Sequence, residues 1–134
     1  MKKEIENKDF QYEYTGAQYS ERELLFKGLK PLTGKQLRKL ITNKTVYGDY
    51  TMGYKFIADI HESGDTEGIN HVGSRDFGKW TIDEDANTLQ LVWENHWLDT
   101  VTRAYEMNGH IEFYDVDTGR WRTSFKIFEN WEKE

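Results

Sequence analysis

A chain of 134 residues without cysteine is long enough for one domain that buries its own core, and it holds neither disulfides nor thiolate metal sites. Its net charge of −6 and pI near 5.3 disfavour a nucleic-acid partner, because an acidic surface repels phosphate. Mean hydropathy is −0.88, and no apolar run approaches the ~20 residues of a bilayer-spanning helix, so no membrane partner is expected.

In chain order, residues 1–9 carry charge with no apolar stretch behind them, unlike a secretory signal, which with the missing cysteines points to a cytoplasmic protein. Phe10, Tyr12 and Tyr14 alternate along an N-terminal arm. Ser20-Glu21-Arg22-Glu23 has the form of a capping box ahead of Leu24, Leu25 and Phe26, and Gly28 suits the stop of a short helix. Thr33-Gly34-Lys35-Gln36 repeats that logic. Leu37, Leu40 and Ile41 then fall at helical spacing, and Asn43 suits the stop. This apolar stripe predicts a helix that plugs one end of a sheet; a partner-binding helix is the alternative.

From Thr45 the period changes to about two. Strands are predicted over residues 45–50, 54–61, 66–72, 77–82, 88–93, 99–107, 110–115 and 120–128, separated by turns rich in glycine, aspartate and asparagine. Asn108-Gly109 is the strongest two-residue hairpin signal. Asp83, Asp85, Asn87 and Glu94 resemble a calcium loop in spacing, but Thr88 stands where such a loop needs glycine, so a hairpin turn is the better reading. Eight short strands with short connections predict a mainly β protein, an antiparallel up-and-down barrel with one or two short N-terminal helices. Closure removes the exposed edges of such a meander. The whole chain, 1–134, is then one domain, with an arm and short helix over 1–31 and a helix plus barrel over 32–128.

These elements resemble the lipocalin-like (calycin) superfamily of small β-barrels, and more narrowly its small single-domain bacterial members whose function is uncharacterised. The resemblance is carried by Leu32-Thr33-Gly34, Asn43-Lys44-Thr45-Val46, Ser63-Gly64-Asp65, Gly78-Lys79-Trp80 and Leu91-Val92-Trp93. It implies a barrel with a cavity.

The last strands carry two faces. With a two-residue loop at Asn108-Gly109, Arg103 faces Tyr114, Tyr105 faces Glu112 and Met107 faces His110. Tyr114 is expected to pair with Arg122, and Phe113 with Thr123. Ile111, Phe113, Trp121, Thr123, Phe125 and Ile127 then share an apolar face with Thr102 and Ala104. Arg103, Tyr105, His110, Glu112, Tyr114 and Arg122 share a polar one. In one reading the apolar face is the interior, and Thr102 and Ala104 leave room for a flat ligand beside Phe113 and Trp121. In the other, the polar face points inward and Arg103, Arg122, Tyr105 and Glu112 grip an anion. Trp80, Trp93, Trp97 and Trp121 suit the core, as tryptophans at alternating strand positions usually do; convergence on one cavity is the alternative.

The histidines His61, His71, His96 and His110 lack metal-ligand spacing, which leaves only convergence across strands, so no metal and no cofactor is expected. The functional expectation is binding of a small hydrophobic or aromatic organic molecule, with or without a carboxylate. Its candidate contacts are Trp80, Trp93, Trp97, Arg103, Tyr105, Phe113, Tyr114, Trp121 and Arg122. A small-barrel isomerase, cyclase or lyase working by acid–base catalysis in the same cavity is the first alternative, and a protein-interaction module the second. A homodimer is compatible with each.

Overall fold

The computed structural model describes residues 18–95, 97–107 and 109–127. The aromatic arm of Phe10, Tyr12 and Tyr14, together with His96, Asn108 and the chain after Ile127, lies outside the described residues. Two helices, α1 (Glu21–Phe26) and α2 (Gly34–Ile41), precede eight strands. These are β1 (Lys44–Tyr50), β2 (Lys55–Ile60), β3 (Asp65–Asn70), β4 (Arg75–Asp83), β5 (Thr88–Trp93), β6 (Thr100–Met107), β7 (His110–Asp115) and β8 (Trp121–Ile127). Every strand pairs antiparallel with its sequence neighbours, and β8 returns to β1, closing an up-and-down barrel. No helix among the described residues is long and apolar enough to cross a membrane.

Alternation assigns the interior. Along β4, Asp76, Gly78, Trp80 and Ile82 are buried while Arg75, Phe77, Lys79, Thr81 and Asp83 are exposed. The same period places Val46, Phe56, Ala58, Ile60, Leu89, Leu91, Ala104, Ile111, Phe113 and Phe125 in one core. Phe113 and Phe125 pack at 4.5 Å between ring centroids and fill one half of the barrel.

That half is closed by α2. Both capping boxes form: Ser20 and Thr33 each accept the backbone N–H three residues on, while Glu23 and Gln36 reach back. Leu37 and Ile41 of α2 enter the barrel core. The helix start sits tightly on the β4–β5 turn, where Asn87 accepts the Gly34 N–H at 2.8 Å and Arg38 pairs with Glu84. Asn43 takes a left-handed φ of 59°, which swings the chain from α2 into β1, and its side chain caps the Glu62 N–H. Asp83 accepts the N–H groups of Asp85 and Ala86, so the acidic segment is a hairpin turn.

The β6–β7 register is the expected one, with Met107 opposite His110 and Arg103 opposite Tyr114. The β7–β8 register differs from expectation at one place. Phe113 pairs with Thr123, but Tyr114 pairs with Trp121, so Arg122 is an extra residue in β8, a bulge. The bulge moves Trp121 off the apolar face and onto the outer one, where it packs with Tyr105 and Tyr114. The inward orientation considered for the polar face is also overturned: the apolar face occupies the interior, and Arg103, Tyr105, Glu112 and Tyr114 lie on the outside.

The outer face is nevertheless a second core. Leu24 of α1 packs on Tyr105 and Tyr114. The Glu21 carboxylate accepts Arg103 Nε at 2.6 Å, Arg103 Nη2 at 2.8 Å and the Tyr105 hydroxyl at 2.8 Å. Burial pushes the Glu21 carboxyl up, but those hydrogen bonds and the guanidinium charge outweigh it and hold it below the ordinary carboxylate range. The Arg103 charge is therefore spent on α1, not on a ligand.

Candidate functional site

Among the described residues, the end of the barrel opposite α2 is open. It holds a cavity of about 350 Å³ whose walls include Phe56, Leu91, Trp93 and Trp97, with Tyr50 and Tyr54 among the residues that complete it. Of the four tryptophans, Trp93 and Trp97 converge on it, with ring centroids 4.6 Å apart. Trp80 instead belongs to the core near the plugged end, where its indole N–H donates to the His61 carbonyl at 2.7 Å and Arg38 lies over its ring. Trp121 is outside, donating to Glu112 at 2.9 Å. Phe113 lies in the filled half, and the room expected beside Thr102 and Ala104 is occupied: both are buried and neither lines the cavity. Arg103, Tyr105 and Tyr114 belong to the outer core. Arg122 reaches the cavity through a neighbour, donating from Nη2 to the Tyr50 hydroxyl at 2.9 Å.

Inward-facing glycines explain why the mouth is hollow although it is lined by large rings. A Cβ at Gly48 would lie 1.9 Å from the Phe56 ring, and one at Gly68 would lie 2.6 Å from the Trp97 ring. Gly78, opposite Trp93, is similarly tight, 2.3 Å from the Val92 carbonyl. The rings of Phe56 and Trp97 thus lie flat on bare backbone, against the wall and off the barrel axis. A side chain at Gly48 must push the Phe56 ring into the empty space. Gly48→Val is accordingly expected to lower stability by about 1–3 kcal/mol, seen as a reduced melting temperature, and to shrink the cavity.

Trp97 is held by its backbone. Asp76, on the inner face of β4 and 0% exposed, accepts the N–H groups of Phe77, Asn95 and Trp97 and the Asn95 side-chain amide, at 2.8–3.1 Å. This carboxylate folds the β5–β6 connection over the mouth. The indole N–H of Trp97 is buried and meets no acceptor among the described residues, where packing and the Asp76 contact to its backbone hold the ring. Asp76, Phe56, Tyr50 and the glycines were not among the candidates read from the sequence. The legible signal was an acid and three glycines at inward strand positions.

A separate polar row crosses the outer face, where β1, β8, β7 and β6 place Asp49, Ser124, Glu112 and Tyr105 side by side, all buried. Burial raises the Glu112 carboxyl to about 7, against the stabilising hydrogen bond from Trp121. Burial likewise pushes Asp49 up, although Lys55 pairs with it at 2.8 Å. Burial and the neighbouring Lys126 charge push His110 down. The acid–base candidates Glu112, Tyr105, Tyr114 and His110 therefore have shifted or buried groups, but none lines the cavity.

Among the described residues, Asp59, His61 and Glu67 bring ligand-type atoms within 4.8 Å of one another. His61 and Glu67 are exposed and hydrogen-bonded to each other at 3.4 Å, and Asp59 accepts the Thr45 hydroxyl at 2.5 Å. These contacts account for the cluster as a polar patch on β2 and β3. Compared with protein-family models, with curated proteins and with solved structures, the chain matches none of them.

Proposed function

We propose that this barrel binds a small, neutral, largely apolar aromatic molecule in its mouth, in the manner of lipocalin-like barrels. The supporting observation is the hollow itself: about 350 Å³ walled by rings that glycines hold against the wall, while toward α2 the interior holds the buried side chains of Leu37, Ile41, Ile82 and Leu89. That volume lies in the range of small-molecule sites, and its mostly apolar wall with a few polar groups has their composition. Among the described residues no charged side chain lines the cavity, which narrows the expectation from an organic acid to a neutral ligand. The acid–base residues offered for a small-barrel enzyme sit on the opposite side of the sheet, so binding is the reading the geometry favours.

Titration with the neutral bicyclic probe N-phenyl-naphthylamine is expected to quench tryptophan emission with one site per chain and a Kd of about 1–10 μM. It is also expected to raise the melting temperature, because the ligand binds only the folded barrel. Unchanged emission and melting temperature at the solubility limit of the probe would refute the proposal.

A further inference from the structure

The cavity wall contains one amide whose orientation is fixed and whose donor is left over. Asn70 ends β3 on its inner face, lines the cavity and is only 9% exposed. Its Oδ1 accepts the Val72 N–H at 3.1 Å and the Ser74 N–H at 2.9 Å. Only an oxygen can accept from two backbone N–H groups, so the amide cannot be turned round, and its NH2 is directed away from the turn. Among the described residues no acceptor meets Nδ2. A ligand that fills the cavity shields this donor from water beside Phe56, its cross-strand partner, and loses free energy unless it accepts from it.

We infer that Asn70 is the polar anchor of the cavity, donating from Nδ2 to an oxygen of the ligand, and that the preferred class is a neutral aromatic compound bearing a carbonyl group. This rests on the binding function proposed above and adds the chemistry the site selects. The turn of residues 71–74 is what makes the anchor rigid: the two N–H groups that close it also aim the amide. A ligand with the same shape but no acceptor leaves Nδ2 unpaired, and sites built around a hydrogen bond reject such analogues.

The test compares acetylnaphthalene with isopropenylnaphthalene, in which a methylene group replaces the carbonyl oxygen on the same trigonal carbon. After correction for partition from water, the intact protein is expected to bind the ketone about 10-fold more tightly. The carbonyl stretching band of the bound ketone is expected at a lower frequency than in hydrocarbon solvent, as for an accepted hydrogen bond. Asn70→Asp keeps an oxygen for the Val72 and Ser74 N–H groups but replaces the donor. It is expected to abolish the preference and return the carbonyl band to its unbonded position. Equal binding of the two probes, or an unshifted band in the intact protein, overturns the assignment of Asn70 while leaving the cavity as a binding site. Failure of both probes to bind the intact protein overturns the binding function itself. If Asn70→Asp does not fold, the band position in the intact protein still decides.

Discussion

Replacing Asp76 by alanine is expected to cost about 3–5 kcal/mol of stability and to abolish ligand binding, the larger loss coming from one carboxylate that organises the whole mouth. The side chain is fully buried and among the described residues takes four N–H groups, three of them from Asn95 and Trp97 in the β5–β6 connection. Charge-assisted bonds of this kind are about twice as strong as neutral ones. Their removal strands several donors with no nearby acceptor. Without the anchor, the Trp97 ring is expected to leave Gly68, and its tilted contact with Trp93 to open. Asp76→Asn is the informative companion. Its one oxygen keeps some of the donors, but its amide N–H groups meet the remaining one head-on, so about half the loss is expected. Urea denaturation gives the stability, and emission from Trp97, isolated by comparison with Trp97→Phe, gives the local effect. If Asp76→Ala melted like the parent and bound probe normally, the carboxylate would have no role in shaping the mouth.

The parts of this fold that local chemistry specifies were legible before the coordinates. Eight strands follow from the period of two after Thr45, the helix starts from two capping boxes, and the β6–β7 register from a two-residue loop. What escaped depends on contacts distant in sequence or on a single residue of slip. The Glu21–Arg103 pair spans 82 positions, and nothing local to Arg103 says that a helix from the other end of the chain neutralises it. The bulge at Arg122 turns Trp121 from one face to the other, because the side-chain period in a strand is two. The cavity was sought through tryptophan, which reports aromatic surface but not where it lies. Glycine at inward positions 48, 68 and 78 reports the wall on which a ring can lie flat, and it separates Trp97, which lines the cavity, from Trp80, which packs the core. Polarity was misleading in the same region: Tyr105, Glu112 and Tyr114 stand on the polar face of their strands, yet all three are fully buried on the outside of the barrel.

That burial makes stability depend on pH in a direction opposite to ordinary acid denaturation. Glu112 is 0% exposed, and its carboxyl rises from 4.5 to about 7 in the folded chain. Between those values the folded state holds a proton that the unfolded state has released. The stability contributed by the neutral carboxyl is therefore complete below about pH 4.5 and is lost as pH rises through 7. The full excursion amounts to about 3 kcal/mol. Asp49, raised by burial, acts in the same sense. His110, with its pKa lowered from 6.5, acts in the opposite sense, its contribution being lost as pH falls, and Glu21, held low by Arg103 and Tyr105, fails only in stronger acid. The fall in stability between about pH 4.5 and 7 is consequently a property of the buried carboxyls. Glu112→Gln keeps an oxygen for the Trp121 indole N–H and removes the ionisation. It is expected to match the parent near pH 5 and to exceed it at pH 8 by about 2–3 kcal/mol, measured by urea denaturation across that range. Parallel profiles for the two proteins would mean that Glu112 is already ionised when folded. A charge on Oε2, which meets no hydrogen-bond donor among the described residues and has His110 Nδ1 at 3.9 Å, would then have to be compensated within the barrel wall.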